Sequence, residues 1–504
     1  MGRYLKQREE ESILYRECSH QESVSGRFYQ NPVLAGDWPD PAVLRVKEKY
    51  YLVTSTARYY PGLTIWYSTD LVTWAPLCNP VSDFEKDIWA PDLLLWEGWY
   101  YIYFSASGSN YVTRSRKIDS GWCEPVDLCI DHIDPGHCSE NGKRYLMLSG
   151  GYLVPLSEDG MRVTGKMQKV MEPAPIPDEW DVEGPYPESP KITQKDGFYY
   201  LTYADGGTGG PATSHMVMSA RSRSLFGPWE FSPFNPIVHT WSREETWHSK
   251  GHGHLVEDYG GNWWILYHAY RNGYMGLGRS LLLEPVQWTS DGWFRLGSHG
   301  DCTLPMKKPV GTKLSEQWEL SDSFQSTGLK LTWKMFSREH FSRIRTGNGF
   351  LVMDGEGNSP GNSAPLVISS GDCSYVVSVT MNRPRRCEAG LILIYDETHF
   401  VAASWDGTQI VLYRLGMPVA SVSAAGQEIR LYLRNNRNEV AFYYEADGGP
   451  LKKLNYVVAV HSMNGTAYGG GCSLRPGLFA SGEGQAFFSS FQYFTRHKLL
   501  FNVE

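Results

Sequence analysis

Three carboxylates stand just ahead of three apolar, aromatic-rich segments of the chain. Asp40 lies between two prolines, Asp134 directly precedes a proline, and Glu188 stands two residues before one. Because proline fixes its own φ and restricts the residue before it, much of this backbone is set before folding. Carboxyl groups held in fixed positions suit general acid–base chemistry, so these three are the first catalytic candidates. On residue type alone, the aspartates could instead cap turns, and the glutamate could lie exposed on a loop.

A repeated strand signature explains how residues so far apart in the sequence could meet. A turn, an aromatic pair and an apolar run recur five times, at steps of roughly 45 to 65 residues. The copies are Lys49–Val53, Gly98–Ile102, Lys143–Met147, Gly197–Leu201 and Asn262–Leu266. This spacing is typical of four-stranded propeller blades, so we predict an all-β fold whose five blades bring the carboxylates to one axis. Coincidental patterning in a large β protein is the alternative.

The aromatic signature ends after residues 293–296, and a polar, turn-rich stretch follows. Beyond it, about 185 residues of alternating strands, separated by Asp, Gly and Asn turns, suit a β-sandwich better than further blades. The sequence therefore predicts four parts. They are an N-terminal segment over residues 1–30, a five-bladed β-propeller over 31–305, a linker over 306–318 and a β-sandwich over 319–504.

The composition of the 504-residue chain excludes several classes of protein. Apolar residues make up 41% and charged residues 20%, which excludes a disordered or coiled-coil chain. A net charge of −8 without a long Lys/Arg run argues against a nucleic-acid partner. No signal-peptide core and no run of about 20 apolar residues is present, so we expect no membrane association and, unless a leader was removed, a cytoplasmic protein. Nine scattered cysteines without a CxxC pair fit reduced structural thiols.

Short motifs around these residues resemble those of glycoside hydrolase family 43, the five-bladed propeller enzymes that cleave β-xylosides and α-L-arabinofuranosides. In order, the matching stretches are NPVLAGDWPDP, PGLTIWYSTDLVTW, WAPDLLLWEGWYYIYFSA, IDPGHCSENGKRYL, ESPKITQKDGFYYLTYA, KGHGHLVEDYGGNWWILYH and LGRSLLLEPVQW. Each motif alone is weak, and their shared order across residues 31–300 carries the resemblance. By strand pattern alone, the C-terminal region resembles the concanavalin-like domain that follows the propeller in the family's β-xylosidases.

The resemblance implies a role for each carboxylate. Asp40 corresponds to the family's general base, which activates a water. Asp134 corresponds to the carboxylate that orients the general acid and modulates its pKa. Glu188 falls on the general acid because it stands nine residues before the glycine that opens the next strand. Glu183 lies in a Glu-Gly-Pro motif that is common in the family, but it stands five residues too early, so it is the second choice for the general acid. Asp37 is expected only to form a turn.

Substrate binding is expected to involve further residues that match the family's motifs. Arg279, in a Leu-Gly-Arg sequence, corresponds to the pocket arginine, whose donor fork would bind sugar hydroxyls or a catalytic carboxylate. Asp92 is interpreted as a scaffold or pocket residue. The candidate aromatic platforms for a sugar ring, each of which could instead pack in the core, are Trp38, Trp66 and Trp89.

His252 corresponds to the family's axial histidine, which in several members lies beside a central calcium or a water. No cofactor is expected to be required, and a structural calcium at His252 is left open. His248, His252 and His254 together superficially resemble a zinc cluster, but zinc normally needs a more complete ligand set.

The sequence thus predicts an inverting exo-glycosidase that releases a terminal pentose, with β-D-xylose as first choice, from xylo-oligosaccharides or related plant-wall oligosaccharides. Inversion needs carboxyl groups roughly 6.5–9.5 Å apart, whereas retention needs about 5–5.5 Å, and the resemblance favours inversion. The alternatives are an α-L-arabinofuranosidase or dual-activity enzyme, an endo-arabinanase with an open groove, and a glycan-binding protein without catalysis. The expected partner is an oligosaccharide, and a homo-oligomer is left open.

Overall fold

A computed structural model describes residues 26–298, 301–315, 318–469 and 471–495 of the chain. Within these ranges, five antiparallel sheets follow one another along the chain, and a large antiparallel sheet forms the C-terminal part. The predicted all-β fold, a five-bladed propeller with a β-rich C-terminal domain, is confirmed. Of the predicted N-terminal segment, most residues lie outside the described ranges.

Each blade consists of one continuous stretch of chain with its strands in sequence order. After β1 (Phe28–Tyr29), the first blade contains β2 (Ala42–Val46), β3 (Lys49–Val53), β4 (Ile65–Ser68) and β5 (Ala75–Cys78). The second contains β6 (Ile88–Trp96), β7 (Trp99–Ala106), β8 (Ser109–Ser115) and β9 (Val126–Asp127). The third contains β10 (Gly136–Glu140), β11 (Lys143–Leu148), β12 (Tyr152–Pro155) and β13 (Gln168–Lys169). The fourth contains β14 (Glu188–Lys195), β15 (Phe198–Asp205), β16 (Met216–Ser222), β17 (Glu230–Phe231) and the additional β18 (Val238–His239). The fifth contains β19 (Trp247–Glu257), β20 (Trp263–Arg271), β21 (Arg279–Trp288) and β22 (Phe294–Leu296).

Packing between neighbouring blades explains the repeated aromatic pair. Successive side chains of a strand point to opposite faces, so both members of a pair can be buried only if both faces are covered. In β3, Tyr50 packs between the fifth and first blades, whereas Tyr51 packs between the first and second. In β20, Trp264 faces the first blade and Ile265 faces the fourth. The aromatic side chains therefore fill the gaps between blades.

The segment before the first blade closes the ring. β1 pairs with β23 (Met306–Lys307), which follows the last blade. Leu34 forms an antiparallel bridge to Leu281 of β21. The segment therefore joins the last blade to the first and ends at Asp40.

Described parts of the predicted linker (residues 306–318) lie against the propeller, and residues 316–317 are outside the described ranges. The Val310 amide donates to Asp258 of the last blade at 3.1 Å. Trp318 packs edge-on against Trp66 of the first blade, with ring centroids 5.2 Å apart. These contacts hold the segment to the ring, so it does not behave as free chain between the domains.

Two long strands organise the C-terminal domain, β27 (Ser374–Ile394) and β34 (Arg475–Phe494). Residues 374–382 of β27 pair with β31, residues 389–394 pair with β28, and β34 pairs with both halves. The other strands are β24 (Ile344–Gly347), β25 (Phe350–Asp354), β26 (Leu366–Val367), β28 (Phe400–Trp405), β29 (Gln409–Arg414), β30 (Met417–Ser423), β31 (Glu428–Asn436), β32 (Glu439–Ala446) and β33 (Lys452–Ala459). Register shifts near residues 382–387 divide the long strands, and both halves face one apolar cluster, as in a sandwich.

Helices are short wherever the structure describes the chain. They comprise 3₁₀ segments at Ser149–Gly151, Met275–Leu277 and Glu339–Arg343 and one α-helical turn at Gly465–Tyr468. None of these described helices has the length and apolar character needed to cross a membrane. The eight described cysteines are free thiols, and Cys18 lies outside the described residues.

Candidate active site

The blades share one backbone feature near the start of their first strands, a non-glycine residue with positive φ. These residues are Asp40 (58°), Ala90 (41°), Asp134 (61°), Ser189 (54°) and Ser249 (50°), and the first four each precede a proline. Such a conformation is uncommon outside glycine, so its recurrence marks a shared turn into the inner strand. Asp40 and Asp134 occupy the shared position. On the fourth blade Ser189 occupies it, and Glu188 lies one residue earlier.

Side chains of the preceding blade fix these turns. The donors and acceptors are Asp40 N–H to His268 Nδ1 (3.0 Å), Ala90 N–H to Ser55 Oγ (2.6 Å), Asp134 N–H to Ser105 Oγ (2.9 Å) and Ser189 N–H to Asp134 Oδ2 (2.9 Å). Because each bond joins two blades, the packing of the ring sets where the carboxylates lie. The candidate residues therefore meet at the centre of the propeller although they are far apart in sequence.

Asp40 is a buried carboxylate surrounded by donors. Its Oδ1 is 3.0 Å from Arg279 Nη1 and 3.4 Å from His252 Nδ1, and the Ser55 hydroxyl donates to Oδ2 at 2.5 Å. Burial by itself favours the neutral acid, yet Arg279, followed by His252 and His268, holds the pKa of Asp40 well below its usual range. Asp40 is therefore ionised at neutral pH, the state that a general base requires.

Asp134 and Glu188 lie together beside it. Burial, and then the neighbouring charge of Glu188, raises the pKa of Asp134 to about 7. Asp134 therefore retains a proton close to neutral pH. The Glu188 side chain is 17% exposed, against 5% for Asp134, and is the more accessible of the two. The ionised Asp40 thus lies near a protonated Asp134 and the accessible Glu188.

His252 lies between the two. Its Nδ1 faces Asp40, and its Nε2 is 3.2 Å from Glu188 Oε1 and 3.9 Å from Asp134 Oδ2. Burial would favour a neutral imidazole, but the charge of Asp40 and then the contact with Glu188 raise the pKa of His252 to about 9. A protonated imidazole donates from both nitrogens, so His252 holds the base and the acid pair in fixed positions.

Two further histidines, His215 and His268, pack beside His252, with ring centroids 5.4 and 4.9 Å from it. Burial lowers the pKa of His268 to about 3 and that of His215 well below its usual range. The donor sets Asp40, His252, His268 and Glu188, His215, His252 each span less than 4.8 Å. Calcium takes about six to eight oxygen ligands, whereas these sets are rich in imidazole nitrogens. The residues present therefore do not fit the calcium considered from the sequence.

The zinc-like group read from the sequence is not formed. His248 Nε2 faces the carbonyl of Arg243 at 2.9 Å. His254 Nδ1 instead accepts a hydrogen bond from the amide of Val43 at 3.1 Å. His248 and His254 thus each join neighbouring segments of backbone, and neither joins His252 in a ligand set.

Arg279 is buried and directed at Asp40, in agreement with one of its two expected roles. The guanidinium carries five N–H donors, and the contact to Asp40 Oδ1 uses one of its nitrogens. The remaining donors are available to a sugar hydroxyl. Burial opposes the charge, but Asp40 raises the pKa of Arg279, so the pair stays ionised.

Asp92 belongs to the scaffold rather than to a sugar pocket. Lys191 Nζ lies 3.0 Å from its Oδ1, and the His137 amide donates to its Oδ2 at 2.8 Å. Both carboxylate oxygens are therefore occupied, and the group is buried between the second, third and fourth blades. Sequence reasoning missed Lys191, because one lysine at the start of a strand gives no sign of being buried.

The three tryptophan candidates differ in how much of the side chain is exposed. Trp38 is 6% exposed and Trp66 is fully buried, and their rings pack edge-on with centroids 4.7 Å apart. The prediction that Trp38 binds substrate is therefore corrected, since its faces are covered by core side chains. Trp89 is 45% exposed and precedes Ala90, whose amide donates to the same Ser55 hydroxyl that contacts Asp40. Only Trp89 of the three has a face free for a sugar.

Glu183 and Glu188 differ in what they contact. The Glu183 carboxylate is exposed and accepts a hydrogen bond from the Gly209 amide at 2.7 Å. This bond joins two loop segments. Glu188 contacts His252 and lies against Asp134. The geometry favours Glu188 as the candidate acid.

Asp205, at the end of β15, is a buried acid that sequence reasoning missed. Burial raises its pKa to about 6, although the Gly206 amide donates to it at 2.8 Å, and the charge of Glu188 adds to the increase. Its position at the end of an aromatic strand, before two glycines, is the only signal in the sequence.

Comparisons with known proteins identify the family of the chain. The model of glycosyl hydrolases family 43 matches residues 29–294. A non-reducing end α-L-arabinofuranosidase of Bacteroides ovatus is 26% identical, with 92% of this chain and 93% of the relative covered. A xylan 1,3-β-xylosidase of a Vibrio species is 29% identical over 52% of this chain and 56% of the relative. A crystal structure of a family 43 protein from Bacillus licheniformis superposes with a TM-score of 0.85 at 26% identity, covering 93% of this chain and 100% of that one.

Proposed function

The chain belongs to glycosyl hydrolases family 43 and is a glycoside hydrolase, and on this basis we propose that it releases terminal pentoses from plant-wall oligosaccharides by inversion. The proposal names β-D-xylose on xylo-oligosaccharides as the first substrate. The observation that carries it is the placement of ionised Asp40, protonated Asp134 and the more accessible Glu188 around one imidazolium, His252.

In this proposal Asp40 removes a proton from a water that attacks the anomeric carbon, while Glu188 gives its proton to the leaving oxygen. The C–O bond to the leaving group breaks as the bond to water forms, and the sugar departs with inverted configuration. Asp134 orients Glu188 and shares its proton. An imidazole ring between the base and the acid favours the separation of roughly 6.5–9.5 Å that inversion uses over about 5–5.5 Å for retention.

Sugar binding would use two groups around this centre. Arg279 offers its remaining N–H donors to hydroxyls, and the exposed face of Trp89 offers a surface for stacking. α-L-Arabinofuranosides are the second candidate substrates, favoured by the relative from Bacteroides ovatus, which aligns over nearly the whole chain and carries that activity in its name.

The test compares the wild type with Glu188→Gln and the matched control Glu183→Gln. Substrates are xylobiose, an arabino-oligosaccharide and the 4-nitrophenyl glycosides of β-D-xylose and α-L-arabinofuranose. We expect Glu188→Gln to lose about 10²–10⁴-fold in kcat on the natural oligosaccharides, because their leaving groups need protonation, and Glu183→Gln to retain activity. NMR of the first-formed sugar should show the inverted anomer.

Three outcomes would contradict the proposal. A wild type inactive on all four substrates would remove the pentosidase assignment and favour a glycan-binding role or an endo-acting enzyme. Loss of activity in Glu183→Gln together with full activity in Glu188→Gln would move the acid to Glu183. A first-formed sugar with retained configuration would exclude inversion.

A further inference from the structure

The C-terminal domain places one buried arginine against the propeller, next to the catalytic centre. Arg475, the first residue of β34, is 4% exposed, and its Nη2 is 3.2 Å from Asp37 Oδ2. Its guanidinium lies over the ring of Tyr59, 3.3 Å from the centroid, and its Nε donates to Ser473 at 3.0 Å. Arg475 is therefore held on several sides and pairs with a propeller carboxylate that was expected only to form a turn.

Asp37 connects this arginine to the backbone of Arg279. Its Oδ1 accepts a hydrogen bond from the Arg279 amide at 3.2 Å, and its own amide donates to Ser369 of the C-terminal domain at 3.0 Å. The Trp38 amide donates to the Arg279 carbonyl at 2.8 Å. The backbone of Arg279 is thus fixed on both sides by the segment that Arg475 holds.

Gly278 shows how closely the two segments approach. Its φ is +81°, and a Cβ built there would lie 2.3 Å from Asp37 Oδ1. Any side chain at this position would push Asp37 away from the Arg279 amide. Glycine before Arg279 is therefore required for the contact.

The chain of contacts ends at the base. Arg279 Nη1 lies 3.0 Å from Asp40 Oδ1, so charges of alternating sign run from Arg475 through Asp37 and Arg279 to Asp40, and all four residues are buried. We propose that Arg475 is a positioning residue for the catalytic base, so that the C-terminal domain completes the active site. This inference rests on the proposed function, in which Asp40 is the base.

Removal of Arg475 would leave Asp37 unpaired. Without Arg475, Asp37 becomes a buried carboxylate that has lost its cation, which is costly. The charge of Asp37 already acts on Arg279. Arg279 would then turn toward Asp37, and Asp40 would lose the contact that orients it toward water.

The experiment compares Arg475→Met with Lys334→Met, a matched control at the same domain interface. Lys334 is also a buried basic residue of the C-terminal domain, but it donates to the Pro61 carbonyl, Thr64 and Asn79 at 2.9–3.0 Å and does not contact Asp37 or Arg279. We expect kcat of Arg475→Met to fall about 10- to 100-fold with KM changed less than about threefold. Lys334→Met should keep kcat within about threefold.

A double variant separates positioning from stability. In Arg475→Met/Asp37→Asn no buried carboxylate is left without a cation, and the amide oxygen can still accept the Arg279 N–H. We expect it to recover at least about fivefold in kcat relative to Arg475→Met, whereas equal losses of kcat in Arg475→Met and Lys334→Met, or no recovery, would overturn the proposal. Should Arg475→Met fail to fold, Arg475→Gln, which also leaves Asp37 without a cation, takes its place in the comparison with the double variant.

Crystal structures of the wild type and Arg475→Met give a readout that does not depend on turnover. The proposal expects the contact between Arg279 Nη1 and Asp40 Oδ1 to lengthen from 3.0 Å to beyond hydrogen-bond distance. An unmoved Arg279 would overturn the positioning role even if the enzyme were active. A wild type inactive on every pentoside would contradict the proposed function. The crystal structures alone would then decide whether Arg475, acting through Asp37, positions Arg279.

Discussion

The centre of the propeller and the interior of the C-terminal domain are built from similar strands and filled in opposite ways. The C-terminal interior is one apolar cluster that includes Leu391, Trp405 and Phe442. At the propeller centre, by contrast, buried acids lie within 4 Å of histidines and an arginine, as at Asp40 and His252. Five blades bury apolar side chains between their faces, but the turns into their inner strands converge and leave room for polar groups. Strand packing thus stabilises both regions, and at the propeller centre it gathers buried acids and histidines whose pKa values shift.

The largest expected effect separates catalysis from stability within the propeller. Asp40 and Asp92 are both buried aspartates paired with a cation, Arg279 and Lys191 respectively. We expect Asp40→Asn to lose about 10³-fold or more in kcat, because the water loses its base. Asp92→Asn should keep kcat of the folded enzyme within about threefold and lose about 3–5 kcal/mol of stability, since Lys191 is left without its partner. Steady-state kinetics and urea unfolding of both variants measure the difference.

A large loss of kcat in folded Asp92→Asn would erase this distinction and place Asp92 in the active site. Full activity in Asp40→Asn would remove the assigned base.

The second effect tests the apolar interior. Phe442, on β32, is buried in the cluster of the C-terminal domain, and Phe442→Ala should cost about 3–5 kcal/mol of unfolding free energy. The control Met417→Ala, at an exposed site on β30, should cost less than about 0.5 kcal/mol. If this domain completes the active site, activity of Phe442→Ala should be lost at the same urea concentration at which the domain unfolds. Activity that persists beyond that unfolding transition would show that the propeller works alone.

Periodic patterns predicted the fold well because they repeat. The aromatic pairs recur since every blade must cover two faces, and Tyr50 and Tyr51 show this directly. Asp40 and Asp134 could be placed by their prolines, which impose the same turn on two blades. Glu188 was offset by one residue from this position, and only the family resemblance selected it over Glu183.

Long-range partners and burial could not be predicted from the sequence. Asp37 pairs with Arg475, 438 residues later, and no local pattern joins two residues in different domains. Trp38 and Trp89 are the same residue type near similar motifs, yet one is in the core and the other is exposed. Such differences arise from packing between blades and domains, which a single sequence does not record.

The smallest expected effect is the pH dependence, which should arise at the propeller centre alone. The pKa of Asp40 is held well below its usual range, so its protonation should not reduce kcat/KM until the pH is strongly acidic. Asp134 has a pKa raised to about 7, so the proton that it holds beside Glu188 is lost as pH rises through neutrality, and kcat/KM should fall about tenfold per pH unit above that midpoint. Profiles on xylobiose between pH 4 and 9 measure this, and 4-nitrophenyl xyloside should show a weaker alkaline loss because its leaving group needs little protonation. A rate on xylobiose that stays level to pH 9 would contradict the assignment.

Stability should follow a different group over the same range. The pKa of His252 is raised to about 9 by the charge of Asp40 and the contact with Glu188, which outweigh its burial. Its contribution to stability is therefore fully present below its unfolded pKa of about 6.5 and is lost as pH rises through about 9. Burial lowers the pKa of Lys334 to about 7, so loss of its proton acts in the opposite sense over this range. Urea unfolding of Lys334→Met at pH 6, 8 and 10 should therefore show the decline that His252 causes. An equal decline in kcat/KM and in unfolding free energy, with one shared midpoint, would mean that activity is lost by unfolding and not by loss of the proton that the acid pair holds.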